Sequence, residues 1–137
     1  MAAVSSERIS RADAIEMKVA EVMVPVPKTL PADAPVRDVE AEFANPSVRV
    51  VVLADGGVFR GAIERADLPA GGDAGGEPAS RYADTTPLTA RPSMPMREAI
   101  EMLERCREPR LVVLDDDGET LRGMVCLSRS TNSFCLG

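Results

Sequence analysis

The chain of 137 residues repeats itself at an offset of about 60 residues. The matches begin where Pro27, Thr29, Pro35 and Arg37 recur as Pro87, Thr89, Pro95 and Arg97. They continue, after two shifts of one residue, where Arg49, Val51, Val52, Leu53, Asp55, Gly56, Arg60 and Gly61 recur as Arg110, Val112, Val113, Leu114, Asp117, Gly118, Arg122 and Gly123. Both shifts fall where loops are expected, and loops tolerate insertions. The duplication predicts two similar units, either as one compact domain or as two halves too short to be stable apart.

Each copy begins with a short extended piece, at residues 27–30 and 87–90, and continues into an amphipathic helix. We expect Asp33 to cap the first helix and Ser93 the second, with a proline in each first turn, where its missing N–H has no helical partner. Apolar residues then recur at helical spacing. They are Val36, Val39 and Phe43 in the first copy and Met96, Ala99, Ile100, Leu103 and Cys106 in the second.

A β-hairpin follows each helix. In the first copy residues 48–53 lead into a turn at 55–57 and return through 58–63. In the second copy residues 111–114, a turn at 115–118 and residues 121–125 correspond to them. The first strand of each hairpin is almost wholly apolar, which is typical of a strand covered on both faces. With a short helix after each hairpin, the sequence predicts an α+β fold of two β-α-β-β-α repeats.

The repeats also divide the chain. We expect an N-terminal extension at 1–18 with a helix over 6–17, a first repeat at 19–69, a Gly/Pro-rich linker at 70–80, a second repeat at 81–130 and a tail at 131–137.

Composition argues against several functions. The chain has no histidine, which removes the commonest general base and the commonest zinc ligand. Because it also lacks a nucleophile–base pair, a phosphate loop and a metal set, we expect neither catalysis nor a metal site. A net charge of −6 without a basic stripe argues against nucleic acid. There is no apolar run of about 20 residues for a membrane span and no secretory signal, so we expect a cytoplasmic protein without membrane contact.

The remaining reactive side chains have ordinary explanations. The three cysteines show no paired spacing, which fits a reducing compartment. Cys106 and Cys126 lie in apolar stretches and are interpreted as core thiols, whereas the sequence assigns no role to Cys135. The three aspartates at 115–117 stand before a glycine and indicate an exposed hairpin turn rather than a cation site.

The ordered pattern resembles a known family. Val22-Met23, Thr29-Leu30, Asp33-Ala34-Pro35-Val36, the run from Arg49 to Gly56 and the run from Phe59 to Leu68 together resemble a cystathionine-β-synthase (CBS) domain, and residues 82–127 resemble a more diverged copy. The resemblance implies two repeats packed about a pseudo-twofold axis into one Bateman module. It also implies clefts between repeats that bind AMP, ADP, ATP or S-adenosylmethionine, and a homodimer of modules.

The family's ligand signature is Gly-x-x-Thr/Ser-x-x-Asp, and the two copies match it unequally. The first copy has Gly61, Glu64 and Asp67. The resemblance then implies that Asp67 accepts from ribose hydroxyls, while Glu64 repels phosphate unless Arg65 or Arg49 neutralises it. Glu64 is better explained as a solvated surface carboxylate on a short helix, which needs no ligand.

The resemblance also implies which residues contact the adenine and which residues form the second cleft. We expect adenine to lie near Val22, Met23 and Val24 and the strand at Val50 and Val51. In the second copy the signature positions hold Gly123, Cys126 and Arg129, so that site is degenerate. A base with a small charged tail, such as adenosine or S-adenosylmethionine, suits Glu64 better than a triphosphate.

Two functions remain open from the sequence. The first is a stand-alone regulatory module that binds an adenosine-containing ligand, needs no cofactor and signals to a partner protein that the sequence does not identify. The second is a ligand-free dimerisation or interaction module whose clefts have degenerated. A homodimer is expected for both.

Overall fold

A computed structural model describes residues 8–26, 28–69 and 74–135. The strands are β1 (Arg8–Ser10), β2 (Thr29–Leu30), β3 (Val50–Asp55), β4 (Val58–Glu64), β5 (Thr89–Ala90), β6 (Arg110–Leu114), β7 (Leu121–Ser128) and β8 (Ser133–Cys135). The helices are α1 (Arg11–Ala14), α2 (Val19–Val22), α3 (Val36–Phe43) and α4 (Met96–Glu104), with 3₁₀ turns at Arg65–Asp67 and Ala79–Tyr82. The mixed α+β class is therefore confirmed.

The described residues form two compact units. Of the described residues, 28–69 and 74–87 form the first-repeat unit, and 8–26 together with 88–135 form the second-repeat unit. These borders differ from those of the repeats, because residues 19–26 belong to the unit of the second repeat and residues 81–87 to that of the first.

The first-repeat unit is a three-stranded sheet covered by one helix. β2 runs parallel to β3, and β3 pairs with β4 in an antiparallel hairpin. Val39 and Phe43 of α3 join Val51, Leu53 and Ile63 in one buried cluster. The predicted hairpin and the predicted apolar face of the helix are therefore confirmed. The central strand β3 is apolar because it is covered on both faces.

The second-repeat unit carries a five-stranded sheet in the order β1-β8-β7-β6-β5. Its core combines the apolar face of α4 with β6, β7 and the fully buried Phe134 of β8. The predicted helix over 6–17 is partly wrong. Its first two residues lie outside the described part of the chain, residues 8–10 form a strand that pairs with β8, and only Arg11–Ala14 are α-helical.

The end of the second repeat also differs from expectation. The first repeat has its short helix as the 3₁₀ turn Arg65–Asp67. In the second repeat β7 continues to Ser128, where a turn leads back into β8. The reason is strand pairing: Leu127 lies opposite Phe134 and Ser128 opposite Ser133, so these residues belong to a ladder instead of a helix.

Backbone groups, not side chains, cap the helix α3. Its N-cap is Pro35, in an extended conformation and without a side-chain cap. The prediction of Asp33 as the cap is therefore wrong. The N–H of Val36 donates to the Glu77 carbonyl at 2.8 Å, which satisfies a first-turn donor that has no partner within the helix.

The helix α4 is capped in the same way. Pro95 is its N-cap, and the predicted cap Ser93 lies two residues earlier. The N–H of Met96 donates to the Met17 carbonyl at 2.8 Å. Met17, which caps α4, and Glu77, which caps α3, are 60 residues apart in the sequence. The capping segments therefore show the same offset as the repeats.

Candidate ligand site

The glycine at the start of the signature, Gly61, lies in β4 where another segment approaches closely. Ala62 and Asp84 exchange backbone hydrogen bonds of 3.0 and 2.9 Å. A Cβ atom on residue 61 would stand 3.0 Å from the Ala83 Cβ and 3.4 Å from the Asp84 carbonyl oxygen. The absence of a side chain at Gly61 therefore makes room for residues 83–85 of the same unit.

The two carboxylates of the signature fix the turn that follows β4. The Glu64 N–H donates to Asp67 Oδ2 at 2.8 Å, and the Glu64 side chain accepts in return from the backbone of Asp67. This reciprocal arrangement is a capping box around the 3₁₀ turn. A carboxylate accepts up to about four hydrogen bonds, so the cap alone does not exhaust the accepting capacity of Asp67.

Arg65 contributes to the structure of the unit. Its guanidinium donates to the Phe43 carbonyl at 2.6 Å and to the Val48 carbonyl at 3.0 Å, and it lies 4.8 Å from the centroid of the Phe43 ring. These contacts tie the carboxyl end of α3 to the chain entering β3. They point Arg65 toward carbonyl groups, whereas Arg49 is exposed and adjoins Val50, the register partner of Glu64.

The expected adenine segment belongs to the second-repeat unit. Val24 and Met124 exchange two backbone hydrogen bonds of 2.8 Å each. A Cβ atom on Gly123 would lie 2.6 Å from the Val24 carbonyl oxygen and 3.5 Å from Met23 Sδ. Val22 is buried in the core of the same unit. Within each unit, therefore, the structure brings residues 22–24 to the second glycine and residues 83–85 to the first.

The other two signature positions of the second repeat hold no carboxylate. Arg129 donates to the Cys106 carbonyl at 3.0 Å and to the Arg107 carbonyl at 3.5 Å, beyond the carboxyl end of α4. The Cys126 thiol lies 2.8 Å from the Cys135 sulfur. Cys126 is half-buried on the outer side of β7 and is absent from the core cluster, so its prediction as a core thiol is wrong.

Sequence reasoning missed the segment Ala83-Asp84-Thr85. One signal for it was present, because Val24 and Asp84 are 60 residues apart, which is the offset of the repeats themselves. The segment places the backbone carbonyl of Asp84 and the methyl group of Thr85 beside Gly61.

Neither a metal-ligating cluster nor a membrane-spanning helix occurs among the described residues. Within residues 8–26, 28–69 and 74–135 no three metal-ligating side chains come together as an ion site. In the same part of the chain no helix combines the length and the apolarity needed to cross a membrane.

The fold and the repeat in the sequence define the class of the chain, a tandem pair of CBS-type repeats. The sequence model of the CBS domain matches residues 19–68 and 79–129, more than half of the chain. The chain therefore belongs to the CBS domain family.

Solved structures agree with this assignment. The CBS-pair protein CBSX2 from Arabidopsis thaliana superposes with a TM-score of 0.69 at 20% identity, over 80% of this chain and 87% of that one. The CBS domain protein PAE2072 from Pyrobaculum aerophilum, solved in complex with AMP, gives 0.65 at 25% identity over 84% and 95%. The CBS domain of the bacterial CNNM/CorC family Mg²⁺ transporter, solved in complex with ATP, gives 0.65 at 20% over 84% and 84%. No curated protein matches the chain.

Proposed function

We propose that the chain is a non-catalytic regulatory module that binds an adenosine-containing ligand at its first repeat and signals to a partner protein. The observation that carries the proposal is the intact frame of Gly61 and Asp67, with the Asp67 carboxylate held at a defined position by the Glu64 N–H at 2.8 Å. PAE2072, which is 25% identical over 84% of this chain, is described in complex with AMP. Membership of the CBS domain family adds to this support.

Asp67 is proposed to accept from the ribose hydroxyls. The half-buried carboxylate is already oriented by the capping box, so ligand binding does not have to order it. Thr85, whose methyl carbon would lie 3.8 Å from a Cβ atom on residue 61, is proposed to supply the hydroxyl that Glu64 replaces in the signature.

The charge of this region favours a ligand with little negative charge. Glu64 and Asp67 lie three residues apart, and Asp84 pairs with Ala62 two residues before Glu64. Like charges a few ångströms apart repel by about 1 kcal/mol in water and more near a protein surface. We therefore propose that adenosine, AMP or S-adenosylmethionine binds more tightly than ATP, and tighter binding of ATP than of adenosine in calorimetry would contradict this order.

The variant Asp67→Asn tests the site without removing the cap. The asparagine carbonyl oxygen can still accept from the Glu64 N–H, but the NH₂ group beside it cannot accept from a ribose hydroxyl. A hydrogen bond to a charged group contributes about 1.5–3 kcal/mol, so Kd for adenosine should rise about 10-fold to 150-fold while stability stays nearly constant. Isothermal titration calorimetry measures the first quantity and urea unfolding the second.

Asp38→Asn is the matched control. Asp38 lies exposed in the first turn of α3 in the same unit, so the same change of charge there should leave Kd unchanged. If adenosine, AMP, ADP, ATP and S-adenosylmethionine all leave the unfolding temperature of the unmodified protein constant, the proposal fails. A ligand at about 100 times its Kd adds about 2.7 kcal/mol, which such a panel detects. That outcome favours the ligand-free interaction module.

A homodimer is proposed as the working form, with support from the family alone. Light scattering coupled to size-exclusion chromatography should give twice the chain mass of 14.6 kDa. A mass of one chain at micromolar concentration would contradict the proposed dimer and leave the ligand proposal intact.

A further inference from the structure

Cys126 and Cys135 lie opposite each other on paired antiparallel strands. In the ladder of β7 and β8, Leu127 is the partner of Phe134 and Ser128 that of Ser133. Continuing this register by one step places Cys126 opposite Cys135, and their sulfur atoms are 2.8 Å apart. Neighbouring residues of an antiparallel pair have Cβ atoms about 4.5–5.5 Å apart, so two facing cysteines need little movement to become linked.

The thiols lie on the accessible side of the ladder. Successive side chains of a strand alternate between its faces, and Leu127 and Phe134 point into the buried core. Cys126 and Cys135 are therefore on the opposite face, where both are half-buried rather than enclosed. A small oxidant reaches this face without unfolding the core.

We propose that Cys126 and Cys135 form a reversible intramolecular disulfide, a redox modification site on the second repeat. Cys126 occupies the middle position of the signature in that repeat, between Gly123 and Arg129. The bond replaces the thiol at this position with a sulfur that no longer donates, and it fastens β8 to β7 covalently.

The reaction balances with a small organic disulfide, such as glutathione disulfide, as the oxidant. One protein thiol loses its proton and attacks the small disulfide, which forms a mixed disulfide and expels one small thiolate. The second protein thiol loses its proton and attacks the protein sulfur of that mixed disulfide, which forms the Cys126–Cys135 bond and expels the other small thiolate. The two thiolates take up the two protons, so the protein is oxidised by two electrons and two small thiols are produced.

The chain supplies its own control cysteine. Cys106 follows the last turn of α4, and its thiol donates to the Met102 carbonyl at 3.3 Å. We therefore expect Cys106→Ser to leave the disulfide unchanged, whereas Cys126→Ser and Cys135→Ser each abolish it.

The experiment uses the full chain, equilibrated with about a tenfold excess of glutathione disulfide over glutathione, quenched and alkylated. Before alkylation the intact mass should be about 2 Da below that of the reduced chain, the mass of two hydrogen atoms, and alkylation should then add one group, at Cys106. After trypsin, which cuts behind Arg122 and Arg129, peptides 123–129 and 130–137 should appear as one linked species. Dithiothreitol should separate them.

Three results would overturn the proposal. They are a stable glutathione adduct on the unmodified chain, disulfide-linked dimers as the main product, and a bond that requires Cys106. Hydrogen exchange of the unmodified chain provides a second measurement that needs no variant: oxidation should slow exchange at residues 133–135 and leave β4 unchanged. Equal rates of hydrogen exchange in β8 in the two redox states would contradict the proposed covalent link between β8 and β7. None of these outcomes depends on whether an adenosine ligand binds.

Discussion

The closest backbone approach at either signature glycine is at Gly123, and a single methyl group there tests it. In Gly123→Ala the new Cβ would stand 2.6 Å from the Val24 carbonyl oxygen, nearer than real Cβ atoms come to other atoms. The carbonyl must retreat by about 0.8 Å to reach ordinary van der Waals contact. The obstacle is backbone, so no side-chain rotation relieves it.

The same carbonyl is already engaged. It accepts from the Met124 N–H at 2.8 Å, and a retreat of about 0.8 Å takes this bond past the usual N–H···O range. Overpacking costs about 1–3 kcal/mol, and a lost hydrogen bond about 0.5–1.5 kcal/mol. We expect Gly123→Ala to lower the free energy of unfolding by about 2–4 kcal/mol, a large part of the stability of a small domain.

Urea unfolding followed by circular dichroism measures this change. With a slope of about 2 kcal/mol per molar urea, in the usual range for a small domain, the midpoint should fall by about 1–2 M. Gly76→Ala is the control, because the nearest atom to its Cβ would be Arg37 Nη1 at 3.9 Å. Its free energy of unfolding should stay within about 0.5 kcal/mol of that of the unmodified protein. If the two variants unfold at the same urea concentration, the close approach of Val24 to Gly123 is refuted.

Two further predictions concern Asp117 and Arg65. The Thr120 hydroxyl, followed by the backbone N–H groups of the turn, lowers the pKa of Asp117 from 3.8 to about 2. The turn therefore contributes stability that is fully present above about pH 4 and is lost as the pH falls toward 2, and Thr120→Val should raise this pKa in a carboxyl-carbon NMR titration; an unchanged titration curve would contradict the assigned cause. Arg65→Met should destabilise the chain by about 1–2 kcal/mol through its two lost hydrogen bonds to carbonyl groups, but leave Kd for adenosine unchanged. Arg60→Met is the control. It breaks an exposed ion pair of 3.4 Å with Asp55 and should cost less than about 0.5 kcal/mol. Weaker binding of adenosine by Arg65→Met would indicate that Arg65 contacts the ligand.

The strands and helix faces could be predicted because their signals are local. Val51, Val52 and Leu53 form an apolar run bounded by turn residues, and all three are buried in β3. The helix caps could not be predicted in the same way. The groups that cap α3 and α4 are the carbonyls of Glu77 and Met17, and a backbone carbonyl is the same in every residue type. No side-chain pattern near the helix announces such a partner.

The candidate site also combines features that have a local sequence signal with features that depend on distant segments. The relation of Glu64 to Asp67 follows from spacing, since residues three apart at a helix start can cap each other, and the structure shows that capping box. The grouping of residues 22–24 with the first signature instead depended on which distant segment lies beside which glycine. The structure places Val24 beside Gly123 and Ala83 beside Gly61, and the role of both segments in binding stays a prediction.

The repeat in the sequence is therefore not the folding unit in the structure. Each repeat takes its helix cap and the chain beside its glycine from a segment that spans the start of the other repeat. The segment is residues 77–84 for the first repeat and residues 17–24 for the second. Within the first-repeat unit, the hydrogen-bonded pair of Ala62 and Asp84 lies two residues before Glu64, and the same segment reaches the amino end of α3 through Glu77. A ligand held by Asp67 would thus act on the 3₁₀ turn Arg65–Asp67. Residues 77–84 connect the strand before this turn to the amino end of α3. A fragment cut at the repeat borders 19–69 lacks that run, so failure of such a fragment to bind ligand would reflect its missing segment and not the chemistry of Asp67.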